Sequence, residues 1–363
     1  MNAIGSRKLD LDTPALLVDL DVLERNIERM ARTFREAGVG WRPHTKAIKV
    51  PALAHKLMSA GAFGVTCAKL GEAEVMAAGG VRDILIANQI VGPPKIDRLM
   101  AVLGTADVIV AVDSVDNVRQ LDRAASAAGQ RLRVVVEVDI GMRRAGVLPG
   151  QPTVDLARLV ASCAGLKLAG VFGWEGQTIK IADPAEKQRA IAQAVGLLAQ
   201  TAEQCRAAGL EIDIVSCGGT GTYQHTATLP GITELQAGGG IFCDVYYREI
   251  MHVDHDFALT VLSTVTSRPT PTRVICDAGK KTMSSDAAMP RPRIREAIRS
   301  MGLSAEHTTL ELAEPTTDLA VGDKIEFIVG YSDTTTMLHE ELFGIRQDRV
   351  ELVWPILGRG KLR

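Results

Sequence analysis

Asp107–Asp139 reads DVIVAVDSVDNVRQLDRAASAAGQRLRVVVEVD, with Val-rich runs at each end (Asp107–Asp113 and Leu132–Asp139) around an amphipathic segment. Runs this apolar suit strands buried on both faces, the pattern of parallel strands covered by helices. The alternation extends in both directions, from about Leu20 to Gly240. Upstream lie Val39–Thr45, Phe63–Ala68 and Asp83–Asn88; downstream lie Leu166–Gly173, Glu211–Cys217 and Ile232–Ala237. Most segments between these eight candidate strands read as helices. Leu23, Ile27, Met30 and Phe34 follow a three-to-four spacing with charges between them, and Gly38 is a plausible terminator. Lys187–Ala208 reads as an Ala- and Leu-rich helix entered through Asp183-Pro184 and closed by Gly209. Gly218–Gly231 is too polar and glycine-rich to be read as a helix. Eight parallel strands with crossovers favour an α/β fold, a closed TIM-like (β/α)8 barrel. A doubly wound open sheet is the competing arrangement.

Beyond Asp254 the pattern changes to short strand-like runs: Leu259–Thr266, Arg273–Asp277, Thr308–Leu312, Lys324–Val329, Leu342–Arg346 and Arg349–Val353. Turn residues such as Thr270-Pro271 and Val321-Gly322-Asp323 separate them. The division expected is a barrel over residues 20–253 and a C-terminal β domain over 254–363. The strand-like stretch 9–19 is expected to join the β domain, because the barrel count is complete without it.

Composition narrows the function. Among 363 residues, 41 basic and 43 acidic side chains leave a net charge of −2, so no basic face for nucleic acid or anionic membrane is expected. Apolar runs such as Leu99–Leu103 fall far short of the ~20 residues that span a bilayer. Met1–Lys8 lacks the apolar stretch of a signal peptide, and the expectation is a cytoplasmic protein. Six scattered cysteines without a CxxC pair read as buried thiols of a reducing compartment.

Reactive groups of such a barrel lie at the carboxyl ends of its strands. Those ends carry His44 and Lys46, Cys67 and Lys69, Asn88 and Gln89, then Asp113, Glu137, Asp139 and Arg144, and Trp174 and Glu175. A lysine at a barrel mouth is a candidate Schiff-base former, because desolvation lowers its pKa and frees the amine. Lys46 is the first candidate, with Lys49 and Lys69 as rivals. Gly218-Gly219-Thr220-Gly221-Thr222 and Gly238-Gly239-Gly240 follow the last two strands, where barrel enzymes commonly cradle phosphate on bare backbone N–H groups. A dinucleotide fingerprint is not met, since Gln224 stands where its third glycine belongs. Taken singly, each feature could be a surface lysine or a set of turns. Together they point to a phosphorylated aldehyde held as an imine, which is pyridoxal 5′-phosphate.

The order Thr13-Pro14-Ala15-Leu16-Leu17-Val18-Asp19, then Arg42-Pro43-His44-Thr45-Lys46, resembles the D-threonine aldolase and D-serine dehydratase family. The likeness continues through Val136–Gly141 with Arg144 and Gly146, Ser216–Thr222, Glu234–Gly238, Asp277–Lys280 and Trp354-Pro355. That resemblance implies the alanine racemase-like fold (pyridoxal-phosphate fold type III), a C-terminal β domain and a homodimer. It implies that Lys46 carries the cofactor, His44 sits beside it and Arg144 reaches the ring hydroxyl. It further implies that Thr220, Gly221, Thr222, Gly238 and Gly239 hold the phosphate while Gln236 lies near the ring, and that Tyr223, Trp174 and Asp333 face the substrate.

Two positions depart from the family pattern. Its C-terminal metal pair, a histidine followed two residues later by aspartate or cysteine, is here Tyr331-Ser332-Asp333. A divalent ion (Mn or Mg) would orient the substrate hydroxyl, and Asp333 alone is a poor site unless His339 or water completes it. Where the aldolases carry a tyrosine and, six residues on, a histidine, this chain has Trp174 and Lys180. Lys180 and Tyr331 are therefore the candidate acid–base groups.

The implied activity is cleavage of a D-3-hydroxy amino acid into glycine, or an analogue, and an aldehyde. Alternatives are dehydration of a D-serine- or 3-hydroxyaspartate-type substrate, racemisation or transaldol transfer, and, in another class, a non-catalytic cofactor carrier. Three weaker features have plain readings. His252 and His255 fit one helix face at a surface or interface, Arg291–Arg295 is a solvated basic loop, and Cys243-Asp244 is structural.

Overall fold

The structure is a computed structural model that describes residues 3–363. It divides into two compact units, one of residues 28–239 with 360–363 and one of residues 1–27 with 240–359.

Strand β1 (Ala15–Asp19) and helix α1 (Leu20–Ala37) precede the barrel strands. These are β2 (Gly40–Trp41), β3 (Val65–Cys67), β4 (Asp83–Gln89), β5 (Asp107–Val112), β6 (Leu132–Glu137), β7 (Leu166–Phe172), β8 (Ile214–Cys217) and β9 (Glu234–Leu235). All pair in parallel, in the order β2-β9-β8-β7-β6-β5-β4-β3. A parallel bridge between His44 and Thr66 joins the two ends, so the sheet closes as the (β/α)8 pattern requires. Leu85, Ile109, Ala111, Val135, Ala169, Phe172 and Ile214, from β4 to β8, form one buried cluster. The intervening Val108, Val110, Val134 and Val136 are equally buried, which is why these strands are apolar throughout rather than alternating.

Helices α2 (Pro51–Ser59), α3 (Leu70–Ala78), α4 (Pro93–Leu103), α5 (Val115–Ala127), α6 (Gln151–Ser162) and α7 (Pro184–Ala207) fill the crossovers. Asp183 caps α7 by accepting the N–H of Glu186 at 2.7 Å, with Pro184 at the first helical position. Gly209 closes that helix at φ +81°, a left-handed conformation that suits glycine. The polar stretch 218–231 contains a single short turn of helix, α8 (Tyr223–Thr226). None of the helices among the described residues is long and apolar enough to cross a membrane.

The other unit is built on β10 (Leu259–Thr270), β11 (Arg273–Cys276), β12 (Arg291–Pro292), β13 (Ile298–Leu303), β14 (Thr308–Leu312), β15 (Lys324–Ile328), β16 (Glu341–Arg346) and β17 (Arg349–Pro355). The short helix α9 (Ser332–Thr335) lies between β15 and β16. The main path of this sheet runs β13-β14-β11-β10-β1-β16-β17, and β15 pairs with both β10 and β12. Strand β1 is antiparallel to β10 and parallel to β16. Leu11, Ala15, Leu17, Leu262, Ile345 and Val350 form its core.

This unit differs from expectation at two places and contains one further strand. The arginines of 291–295 are exposed, but Arg291–Pro292 is a strand on β15 rather than loop, with Arg291 paired to Glu249 and set over the Phe257 ring. Strand β13 was not anticipated, because Ile298–Leu303 is largely exposed and so lacks a buried alternation. His252 and His255 do not share a helix face. His252 lies at φ +58° and is exposed, whereas His255 is fully buried and donates from Nδ1 to the Gly240 carbonyl at 2.9 Å.

Candidate active site

The segment after β2 is pinned on both sides. His44 donates its N–H to the carbonyl of Gln236 at 2.9 Å, and Thr45 donates to the carbonyl of Thr66 at 2.8 Å. The Trp41 indole reaches the carbonyl of Ala237 at 2.7 Å. The N–H of Lys46 donates to His44 Nδ1 at 3.3 Å, and both side chains are half-buried. The rival lysines differ in setting. Lys49 is buried with its Nζ 3.6 Å from the Glu72 carboxylate, an acid that burial pushes upward and Lys49 pulls back. Lys69 is exposed.

Parallel neighbours β8 and β9 put both glycine loops at the same end of the barrel. Gly238 lies against the backbone of His44, and Gly219 lies against the Trp174 ring, where a Cβ would stand 2.4 Å away. Gln236 donates from Nε2 to Ser216 Oγ at 2.9 Å. Behind the first loop, the fully buried Glu175 accepts the N–H of Gly218 at 3.2 Å and the hydroxyls of Thr222 and Thr226 at 2.8 and 2.7 Å. Thr220 is buried in the same loop. Tyr223 has no exposed surface and packs on Phe34, ring centroids 5.5 Å apart, so its ring belongs to the core.

Arg144 is exposed, and its guanidinium favours the charged form of Glu137, which burial pushes upward. Gln89 donates to the same carboxyl, a link between two strand ends that the sequence did not reveal. Lys180 is exposed beyond the turn Gly176–Thr178. The structure thus gathers His44, Lys46, Gln236, Gly238 and Gly239 on one stretch of the rim. Thr220, Gly221 and Thr222 follow the neighbouring β8 and Trp174 follows β7, with Arg144 beside Glu137.

Tyr331 and Asp333 form a cluster within the other unit. Asp333 accepts the phenol of Tyr331 on Oδ2 at 2.7 Å and that of Tyr247 on Oδ1 at 3.1 Å. Burial and the adjacent carboxylate push both phenols up. Asp244, fully buried, accepts the N–H groups of Tyr247 and Ser332 at 2.8 and 2.6 Å. Three of the chain's four tyrosines (Tyr246, Tyr247 and Tyr331) pack edge to face here, so the Tyr246-Tyr247 pair in so aromatic-poor a chain was an available signal. His339 bonds through Nε2 to the carbonyl of Thr282 at 2.8 Å. Both Asp333 oxygens are taken by phenols, and no group of three or more His, Cys, Asp or Glu among the described residues could hold a metal ion. These residues do not fit a divalent cation.

A closed parallel barrel with a lysine at its rim and glycine loops after the last two strands defines a class. The chain belongs to the alanine racemase family, whose N-terminal domain it matches over residues 18–244, and residues 258–345 match a putative serine dehydratase domain. Within that class it is similar to a 3-hydroxy-D-aspartate aldolase of Paracoccus denitrificans, 33% identical over 98% of this chain and 94% of the relative. It is also similar to a D-threonine aldolase of an Arthrobacter species, 32% identical over 96% and 93% of the two chains. The solved D-threonine aldolase of Filomicrobium marinum superposes with a TM-score of 0.96 at 36% identity, covering 99% of each chain.

Membership implies pyridoxal 5′-phosphate, and the barrel residues fit it. Gly221, Gly238 and Gly239 are buried, yet their N–H groups meet no acceptor among the described residues. Buried donors left unpaired mark a place for an anion.

Proposed function

We propose that the chain is a pyridoxal-phosphate-dependent lyase that cleaves a D-3-hydroxy amino acid into glycine, or an α-substituted analogue, and an aldehyde. The single observation carrying this reading is the half-buried Lys46, held by the His44–Gln236 pairing beside glycine loops with unpaired N–H groups. The aldolase names of relatives that align along nearly the whole chain support the reaction.

Lys46 would supply the amine that holds the cofactor aldehyde. Thr220, Gly221, Gly238 and Gly239 take the phosphate, with Thr222 bracing the loop. Arg144 serves the ring hydroxyl, and His44 and Gln236 flank the ring. When bound, the cofactor supplies the electron sink that accepts the electrons of the Cα–Cβ bond. The β-hydroxyl proton needs an acceptor as that bond breaks. The proposed acceptors are Lys180, through its free amine nitrogen, and Tyr331, whose oxygen takes the proton as its own hydrogen passes to the Asp333 carboxylate. Trp174, half-buried beside Gly219, shapes the substrate side, whereas Tyr223 is a core residue and takes no part. The same reading makes the protein a homodimer, which sedimentation tests, and a cytoplasmic one, supported by cysteines that form no disulfide among the described residues.

A second reading, dehydration to a 2-oxo acid and ammonia, is favoured by the match of residues 258–345 to a serine dehydratase domain. Incubating the protein and cofactor with D- and L-3-hydroxy amino acids separates the two. The aldolase reading requires glycine and aldehyde from a D-isomer and falls if none yields aldehyde.

A further inference from the structure

Glu175 lies just beyond β7 and has no exposed surface. A buried carboxyl is costly unless several donors hold it. Here three neutral donors do so, all from the segment 218–226: the N–H of Gly218 at its start, the Thr222 hydroxyl at its turn and the Thr226 hydroxyl in α8. The consequence falls on Thr222. Its hydroxyl has one hydrogen, which goes to Glu175, while its oxygen accepts the N–H of Gly219 at 3.1 Å. Its own N–H donates to the Gly219 carbonyl at 3.0 Å. Thr222 therefore has no donor left for an anion, although it stands in the middle of the phosphate loop.

We infer that Glu175 is the positioning residue of this loop, holding Gly218–Thr226 in the shape that presents Thr220 and Gly221 to the phosphate ester. It acts through Thr222 and Gly218, touches neither cofactor nor substrate, and governs affinity for the phosphorylated cofactor rather than for its ring. The inference rests on the pyridoxal-phosphate reading above.

The test titrates the full chain, stripped of cofactor, with pyridoxal phosphate and separately with pyridoxal, following imine absorbance. In Glu175→Gln the amide oxygen still accepts the hydroxyls, but its NH2 faces the N–H of Gly218 and that bond is lost. Affinity for pyridoxal phosphate is expected to fall about tenfold or more, with pyridoxal changed less than about twofold. Thr222→Val should show the same selective loss, and Thr222→Ser, which keeps the hydroxyl, should recover most of it. If Glu175→Gln does not fold, the two Thr222 variants decide. Equal weakening of both compounds, or no weakening of pyridoxal phosphate, overturns the role of Glu175. A wild-type chain that forms an imine with neither compound overturns the cofactor reading beneath it.

Discussion

A Cβ placed on Gly238 would stand 2.2 Å from the carbonyl oxygen of His44 and 2.7 Å from its nitrogen. The contact is backbone against backbone, so no flexible side chain can yield. Gly238→Ala must therefore push apart the two stretches that carry Lys46 and the second glycine loop. The expected cost is about 1–3 kcal/mol in urea unfolding, with weaker uptake of pyridoxal phosphate. Unaltered cofactor affinity would show that this close approach does not shape the site.

Lys46 and Lys49 should separate cleanly on substitution. Lys46→Ala should abolish the imine absorbance and lower kcat by at least about 10^3-fold while the chain stays folded. Lys49→Ala should leave the imine band in place. It should cost about 3–5 kcal/mol of stability, because Glu72 is then left buried without its partner. Absorbance and denaturation of both variants decide, and an imine that depends on Lys49 instead reverses the assignment.

At position 331 a single change should create a metal site. Wild-type Asp333 has both oxygens on phenols, whereas Tyr331→His would place an imidazole two residues ahead of it and free one oxygen. Mn²⁺ titration followed by electron paramagnetic resonance should show no stoichiometric binding to wild type. The variant should bind about one ion per chain, with micromolar-range affinity or weaker. Exhaustive chelation should leave wild-type turnover unchanged, and tight wild-type binding lost in Asp333→Ala would contradict this.

Asp244 gives stability a pH dependence of defined sign. Burial pushes its carboxyl from the ordinary 3.8 to about 7, against the pull of the Tyr247 and Ser332 N–H groups. The folded-state value lies above the unfolded one, so between about pH 4 and 7 the folded chain binds the extra proton. Stability therefore falls as pH rises through that window, by at most about 1.4 kcal/mol per unit from this group. In urea unfolding the advantage of wild type over Asp244→Asn should shrink from pH 5 to pH 8. A difference that stays constant across that range would mean that Asp244 does not titrate there.

Legibility in the sequence followed from where the signal was local. Val134–Val136 and Val108–Val112 announce doubly buried strands in a few consecutive residues, so the eight-strand reading came through. Even β2 and β9, each two residues long, lie inside runs identified from composition. Ile298–Leu303 could not be found this way, since its pairing is set by register against Thr308–Leu312 and its side chains are mostly exposed. At the site, Lys46 and the glycines are recognisable by residue type. The bonds of Glu175 to Thr222 and of Tyr247 to Asp333 span 47 and 86 positions, and no periodicity encodes such pairs.

Strand β1 sits between β10 and β16, and Leu17 finds its parallel partner at Phe343. During synthesis the apolar Ala15–Val18 edge must wait for a mate that emerges only after the entire barrel. At ~5–20 residues per second that delay is on the order of 20–60 s. Residues 28–239, being continuous, can finish folding in the interval, whereas the first-made strand is among the last to be seated. That waiting edge is where premature pairing between nascent chains would start an aggregate.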